Sequence, residues 1–187
     1  MKKFLTILFL FLLFVGNSIA EERDSKLDKL FNQLKDTKDL TSAQLIEKEI
    51  WEIWQIHPSD DRRGFRLTEL LTQGIRLMNM RELGKSYEVF SKIIEAEPDW
   101  AEAWNKRATV LYIMGNYEQS QNDINEVLKL EERHFGALSG QGLVQIKLKN
   151  YKKAIESYKE VEKLHPSMEA PKVMIPRIKK LIKEQSI

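Results

Sequence analysis

The chain has 187 residues, of which 42% are hydrophobic and 31% are charged, so it can bury a core and lacks the composition of a disordered protein. Its 30 basic and 28 acidic side chains leave a net charge of +2, which argues against a strongly basic nucleic-acid-binding protein. The absence of cysteine excludes disulfides, a thiol nucleophile and cysteine-ligated metals. Three histidines, far apart in sequence, argue against histidine-based catalysis or metal binding.

Residues 1–20 have the three-part pattern of a secretory signal peptide. Two lysines precede an apolar run over residues 4–15, and the small residues Ser18 and Ala20 follow, which predicts cleavage after Ala20. A retained membrane anchor is the alternative, although a transmembrane helix needs about 20 apolar residues. We therefore expect a protein exported through a Sec-type signal to the periplasm or secreted, attached to a membrane only if the segment stays uncleaved.

Charge is unevenly distributed along the rest of the chain. Residues 21–134 carry 17 basic and 23 acidic side chains, a net of −6, whereas residues 135–187 carry 11 and 5, a net of +6. A basic C-terminal part can face an acidic partner or a membrane surface. A solvated, lysine-rich helix face is the simpler interpretation.

Residues 21–64 are predicted to form an N-terminal helical hairpin, or cap, and a linker. One helix is expected over residues 24–35 and a second after an N-cap at Thr41 or Ser42, with residues 62–64 as the link to the next part of the chain. The apolar positions recur with a helical period: Leu27, Leu30, Phe31, Leu34, Leu45, Ile46, Ile50, Trp51 and Trp54. We interpret the two tryptophans as core residues, and an exposed partner anchor is the alternative.

The central part of the chain repeats every 34 residues, and residues 67–100, 101–134 and 135–168 align without a gap. Positions 4, 8 and 11 of each unit lie on one stripe of a first helix, and positions 20, 24 and 27 on one stripe of a second. Small residues at positions 8 and 20 let the two helices approach closely. The predicted core residues are Leu70, Gly74, Phe90, Trp104, Ala108, Tyr117, Gly142, Tyr151, Ala154 and Tyr158. Four of the aromatic residues among them are expected to be buried, namely Phe90, Trp104, Tyr117 and Tyr158.

This pattern resembles the tetratricopeptide repeat, and the middle unit carries it most clearly, in Trp104, Ala108, Gly115-Asn116-Tyr117 and Leu128. The resemblance implies an all-α fold in which three helix-turn-helix units form a right-handed superhelix, or α-solenoid. Four features depart from the family pattern, and two of them are position 27, β-branched in all three units, and position 32, which is Glu132 in the middle unit. Position 20 is serine in two units, and Gln145 replaces a large apolar residue at position 11 of the third.

Residues 169–187 are predicted to form a C-terminal capping helix that covers the open apolar end of the solenoid. Pro171 suits a helix start, whereas Pro176 is expected to break or restart the helix. A membrane-surface role for the lysine-rich face is the weaker alternative.

The resemblance also implies a concave groove lined by positions 2, 5, 9, 12 and 13 of each first helix. The predicted partner-binding residues are Leu71, Ile75, Met78, Asn79, Asn105, Thr109, Tyr112, Leu143, Ile146 and Lys147. Some members of the family grip a chaperone's terminal carboxylate with lysine at position 5 and asparagine at position 9, and this chain does not reproduce that pair. An apolar helix or an extended segment of a protein is the better ligand. Alternatively, the hairpin or the last helix of the chain fills the groove.

Enzyme motifs are absent from the sequence. The glycines between Gly136 and Gly142 lack the lysine and hydroxyl residue of a phosphate-binding loop, and no histidine has the spacing of a zinc site. We expect no catalytic residue, cofactor or metal. The sequence favours a non-catalytic adaptor or scaffold that binds a protein or peptide, and a self-associating structural component of the cell envelope is the alternative.

Overall fold

The computed structural model describes residues 21–184, which form nine α-helices and no strand. The predicted signal peptide lies outside the described residues. The helices are α1 (residues 21–36), α2 (Leu40–Gln55), α3 (Arg62–Asn79), α4 (Leu83–Ala96), α5 (Ala101–Met114), α6 (Tyr117–Leu130), α7 (Phe135–Lys147), α8 (Tyr151–Leu164) and α9 (Glu169–Glu184). None of these helices is long and apolar enough to cross a membrane.

The helices α1 and α2 form the N-terminal hairpin. An aspartate caps the start of α2, and another aspartate caps the start of α3. Asp39 caps α2 and accepts a hydrogen bond from the Ser42 backbone N–H at 2.7 Å, so the predicted cap at Thr41 or Ser42 is wrong by two residues or more. Asp61 caps α3 in the same way through the Gly64 N–H. Residues 62–64 are therefore the first turn of α3 and not a linker, because an aspartate in extended backbone satisfies the free N–H groups of the helix start.

The pairs α3–α4, α5–α6 and α7–α8 are the three repeat units, and the same backbone turn joins the helices of each pair. Position 15 is left-handed in all three, with φ of 64° at Arg81, 85° at Gly115 and 61° at Lys149. Only the middle unit has glycine there, the residue that adopts this conformation without steric cost. The three turns therefore share one backbone geometry although their sequences differ.

Inside each unit, the side chain at position 8 is matched to the one at position 24. A Cβ atom on Gly74 would collide with the ring of Phe90, and one on Gly142 would collide with the ring of Tyr158. Aromatic rings at position 24 thus need glycine at position 8, because a methyl group would occupy the space of the ring. The middle unit replaces the glycine–aromatic pair with alanine and isoleucine.

Serine at position 20 gives two of the units an additional polar contact. The Ser86 hydroxyl donates to the Gly74 carbonyl at 2.8 Å, and the Ser120 hydroxyl donates to the Ala108 carbonyl at 2.7 Å. Both hydroxyls are buried, so each replaces a hydrogen bond to water with one between the two helices of a unit. The departure from the family pattern at position 20 therefore has a structural role.

Neighbouring units pack through positions 3 and 10 of their first helices. Ala103 and Val110 join the buried cluster of the first unit, and Ala137 and Val144 join that of the second. At the C-terminal end, Ile178 of α9 packs with residues of the third unit. The chain continues through Pro176 as one helix, contrary to the predicted break. Pro176 is exposed, so the carbonyl that loses its helical N–H partner faces water.

The residues of the predicted core differ in burial. Six of its residues are buried, namely Gly74, Phe90, Ala108, Gly142, Ala154 and Tyr158. The four at positions 4 and 17 are only partly buried, namely Leu70, Trp104, Tyr117 and Tyr151. The expectation of full burial is wrong for Trp104 and Tyr117, which pack against the buried clusters but keep part of their surface exposed. The Trp104 indole N–H donates to the Pro98 carbonyl at 2.8 Å, and its ring faces the Arg107 guanidinium.

Candidate partner-binding groove

The hairpin lies across the N-terminal ends of α5 and α7, the first helices of the second and third units. The Trp54 ring stacks on the His134 ring with centroids 4.0 Å apart and an interplanar angle of 10°. The Trp51 and Phe135 rings meet edge to face at 5.4 Å. A Cβ atom on Gly136 would collide with the Trp51 ring, so glycine at this position allows the close approach. The chain's own hairpin therefore occupies one end of the groove.

A buried polar network lies beneath this contact. The side chain of Glu102 is fully buried and forms an ion pair with Lys106 Nζ at 2.8 Å, and its other oxygen lies 3.1 Å from His134 Nε2. Asn105 Nδ2 donates to the same oxygen at 2.8 Å. Burial alone would raise the pKa of Glu102, but the His134 hydrogen bond and the Lys106 charge hold the pKa below its ordinary value. The carboxylate is thus kept ionised under the hairpin.

All three histidines of the chain lie where the hairpin and its connection meet the repeats. His57 Nε2 lies 4.0 Å from the Glu97 carboxylate, and His165 Nε2 lies 3.1 Å from the Glu47 carboxylate of α2. The hydrogen bond from His165 lowers the pKa of Glu47. Burial lowers the pKa of His57, which favours its neutral form. Together with His134, these residues join the hairpin and its connection to the turns that follow α4, α6 and α8.

The structure corrects the predicted groove at two positions. Leu71 is 1% exposed and packs within the buried cluster of the first unit, and Asn105 is buried beneath the hairpin through its bond to Glu102. Neither presents a surface to a partner in this conformation. Four predicted residues are partly buried, namely Ile75, Met78, Tyr112 and Ile146. Four are exposed, namely Asn79, Thr109, Leu143 and Lys147.

The open part of the groove is formed by the C-terminal halves of α5 and α7. Ile113 and Leu143 are each 37% exposed, so both large apolar side chains remain accessible to a partner. At the edge of this surface, the rings of Tyr112 and Tyr117 lie 5.6 Å apart and Lys147 Nζ lies 6.0 Å from the Tyr117 ring. The surface therefore combines apolar anchors with hydrogen-bonding and cationic groups.

Sequence reasoning missed the Glu102–Lys106–His134 network. Its sequence signal is the carboxylate Glu102 at position 2 of the middle unit, where the other two units have threonine and glycine. Even so, the contact joins residues 32 positions apart, and periodicity within one helix does not reveal it. Among the described residues, no group of three histidine, aspartate or glutamate side chains could hold a metal ion.

Three stacked helix pairs with a single helix at the end define an α-solenoid, an architecture that offers an extended binding surface. The tetratricopeptide repeat family model matches residues 101–134 and 136–167. A TPR repeat-containing protein of Rhizobium etli is 33% identical in an alignment of 155 positions that covers 76% of this chain and 74% of that protein. The chain belongs to the tetratricopeptide repeat family, a family of non-catalytic protein-interaction modules.

Solved structures share the fold. The first TPR of Spaghetti (RPAP3), bound to the HSP90 peptide SRMEEVD, matches with a TM-score of 0.61 and 17% identity over 63% of this chain and 93% of that one. A double mutant of MamA (RS-1 ArsTM) matches with a TM-score of 0.58 and 16% identity over 91% of this chain and 86% of that one. These matches confirm the all-α solenoid.

Proposed function

We propose that this chain is an exported adaptor that binds a segment of a protein partner in the open part of its concave groove. The observation that carries the proposal is the exposure of Ile113 and Leu143 on consecutive first helices. Large apolar side chains on a concave face lose unfavourable contact with water when a partner covers them. The hairpin leaves this part of the groove uncovered.

The structural neighbours support a peptide or helix as the ligand. The RPAP3 domain binds an HSP90 peptide, which supports a peptide as the ligand of this chain. In the present chain, Asn105 is buried under the hairpin, and Leu71 is packed into the core. The ligand is therefore expected to contact the C-terminal halves of the first helices and to avoid their N-terminal ends.

Export is the second part of the proposal and depends on residues 1–20. It is supported by the two lysines, the apolar run over residues 4–15 and the small residues before Glu21. Sequencing the N-terminus of the protein recovered from an envelope fraction tests it. A first residue of Glu21 would support cleavage and release, whereas Met1 or Lys2 would indicate a protein anchored by an uncleaved segment.

Affinity capture from an envelope extract tests the groove. The chain from Glu21 onward is compared with the groove variant Ile113→Glu/Leu143→Glu and with a control variant Leu45→Glu/Leu130→Glu. The control introduces the same charge at exposed leucines of α2 and α6. We expect a protein that the unmodified chain and the control retain and the groove variant loses. Equal capture by all three chains would show that partners bind elsewhere, and mass measurements at several concentrations would then test self-association.

A further inference from the structure

The helix α9 has the register of a fourth unit's first helix. Counting from Glu169, its positions 3 and 10 are Pro171 and Ile178, and both are buried, as are Ala137 and Val144 at the same positions of the third unit. Its positions 4 and 11 are the lysines Lys172 and Lys179, and both are exposed. These positions would face a second helix, which the described chain does not supply. The capping helix α9 thus corresponds to the first helix of a repeat unit, and it has residues at the positions that line the predicted groove.

This register extends the concave groove by one helix. Positions 5, 9 and 12 of α9 are Val173, Arg177 and Lys180, and all three are exposed. Val173 is 52% exposed, more than Leu143 at position 9 of α7. The hairpin covers position 5 of the middle unit but leaves position 5 of α9 uncovered. The open surface therefore runs over α5, α7 and α9 and presents one large apolar side chain on each.

The charged side chains of this surface are mainly basic. The helix α7 has no acidic residue, and α9 has acidic residues only at its two ends, Glu169 and Glu184. Lys180 lies 3.8 Å from Glu184 in an exposed pair. No carboxylate of the described residues forms an ion pair with Lys147 or Arg177. The cations of the open groove are thus available to an incoming negative charge.

We infer that the groove formed by α5, α7 and α9 binds a protein segment that carries carboxylates next to large apolar side chains. The inference rests on the proposed function and adds the chemistry of the partner. Ile113, Leu143 and Val173 provide apolar contacts, and Lys147 and Arg177 provide charge-assisted hydrogen bonds to aspartate or glutamate. A concave surface with apolar side chains between its cations fits such a segment better than a uniformly charged phosphate backbone.

A displayed library of random peptides is the probe, selected on the chain from Glu21 onward. We expect the retained peptides to be enriched in aspartate and glutamate and in large apolar residues. The affinity of a selected peptide should fall as salt concentration rises, because exposed charge pairs are screened. Retained peptides that are neutral or basic would overturn the inference.

Charge reversal locates the site. The variant Lys147→Glu/Arg177→Glu should bind the selected peptide about tenfold more weakly or worse, since two attractive contacts become repulsive. The control variant Lys152→Glu/Lys159→Glu changes the net charge equally on exposed positions of α8 and should bind as the unmodified chain does. Equal weakening in both variants would indicate non-specific attraction and overturn the inference.

The two proposals fail in distinguishable ways. If Ile113→Glu/Leu143→Glu binds the selected peptides as tightly as the unmodified chain does, the groove is not the binding site and the proposed function fails. If that variant loses binding but Lys147→Glu/Arg177→Glu retains it, the groove function stands and the acidic character of the partner is wrong. Circular dichroism of each variant confirms that a loss of binding is not a loss of fold.

Discussion

At the residue scale, the pairing of positions 8 and 24 explains why the glycines of the repeats differ in importance. A Cβ atom on Gly142 would approach the Tyr158 ring to 2.5 Å, whereas one on Gly140 of the same helix would meet only the Ile124 Cδ1 at 3.7 Å. The first contact is far inside van der Waals distance and the second is ordinary packing. The same substitution on one helix therefore has opposite consequences.

Gly142→Ala should lower the free energy of unfolding by about 1–3 kcal/mol, because the added methyl group displaces a buried ring. Gly140→Ala should leave stability unchanged or raise it by up to about 1 kcal/mol, because alanine is the better residue in a helix interior. Urea unfolding of both variants is the measurement. Similar changes of the same sign would contradict the packing of Tyr158 against α7.

The depressed pKa of His57 makes part of the stability depend on pH. Burial favours the neutral ring, and Glu97 and Asp61, which favour the charged ring, only partly offset burial. The unfolded chain then binds the proton more readily than the folded chain as the pH falls below 6.5, so this contribution is present above that pH and is lost below it.

On acidification from about pH 7.5 to about pH 5.5, the unmodified chain should lose more stability than His57→Asn, which has no titrating ring. Asparagine keeps an oxygen that can accept the Ser59 N–H, the bond that His57 Nδ1 makes at 3.1 Å. Other titrating groups are shared, so the difference between the two urea midpoints isolates His57. Parallel losses in the two proteins would mean that His57 titrates as it does in the unfolded chain.

At the scale of elements, the hairpin is held by aromatic packing more than by regular repeat contacts. Trp54 is buried among Phe31, His134 and Phe135, with ring centroids 4.0 to 6.2 Å apart in this cluster. Its indole N–H is buried and has no hydrogen-bond partner in the described residues. The ring therefore contributes by packing, and its polar atom opposes burial.

Trp54→Ala should destabilise hairpin docking by about 3–5 kcal/mol, because a large buried ring is removed. Trp54→Phe should cost less, since a ring remains and the unpaired N–H is removed. Limited proteolysis at the turn between α1 and α2 reports docking, and unfolding of the repeats is followed separately. Trp104→Ala is the comparison, and its cost should be smaller because that ring is only partly buried. A larger loss from Trp104→Ala would contradict this assignment of the core.

At the scale of the whole molecule, polar residues close the solenoid at its N-terminal end. Positions 3 and 10, which are Ala103 and Val110 in the second unit, are Glu69 and Arg76 in the first, and both are exposed there. A first unit has no preceding unit to cover these positions, and charged side chains keep that face soluble. This end is therefore a boundary of the stack and disfavours end-to-end self-association.

Glu69→Ala/Arg76→Val should create at this end the apolar face of an internal unit and promote self-association. Light scattering across a range of concentrations should show a mass that rises with concentration for the variant and stays constant for the unmodified chain. Equal masses at all concentrations would show that these two residues do not prevent association. A rising mass for the unmodified chain would instead support the self-associating alternative.

The sequence alone determined the repeat period and the fold class. Both follow from helical spacing, which places positions 8, 20 and 24 on facing stripes of the two helices of a unit. Glycine at position 142 opposite the large ring of Tyr158 is an example of the size matching that the sequence shows. The sequence was less informative about helix boundaries. Asp39 caps α2, where Thr41 or Ser42 was expected, and Asp61 caps α3, which begins where a linker was expected. The spacing of Trp104 predicted full burial, but the tertiary structure leaves its ring partly exposed.

Only the tertiary structure decided which part of the groove is open. Periodicity shows that Trp51 and Trp54 lie on one helix face, but a core cluster and a partner anchor have the same spacing. The contact between Glu47 and His165 joins residues 118 positions apart, and it exists because two separately formed elements bury apolar surface against each other. Such docking depends on shape complementarity between distant surfaces, which no local pattern in the chain encodes.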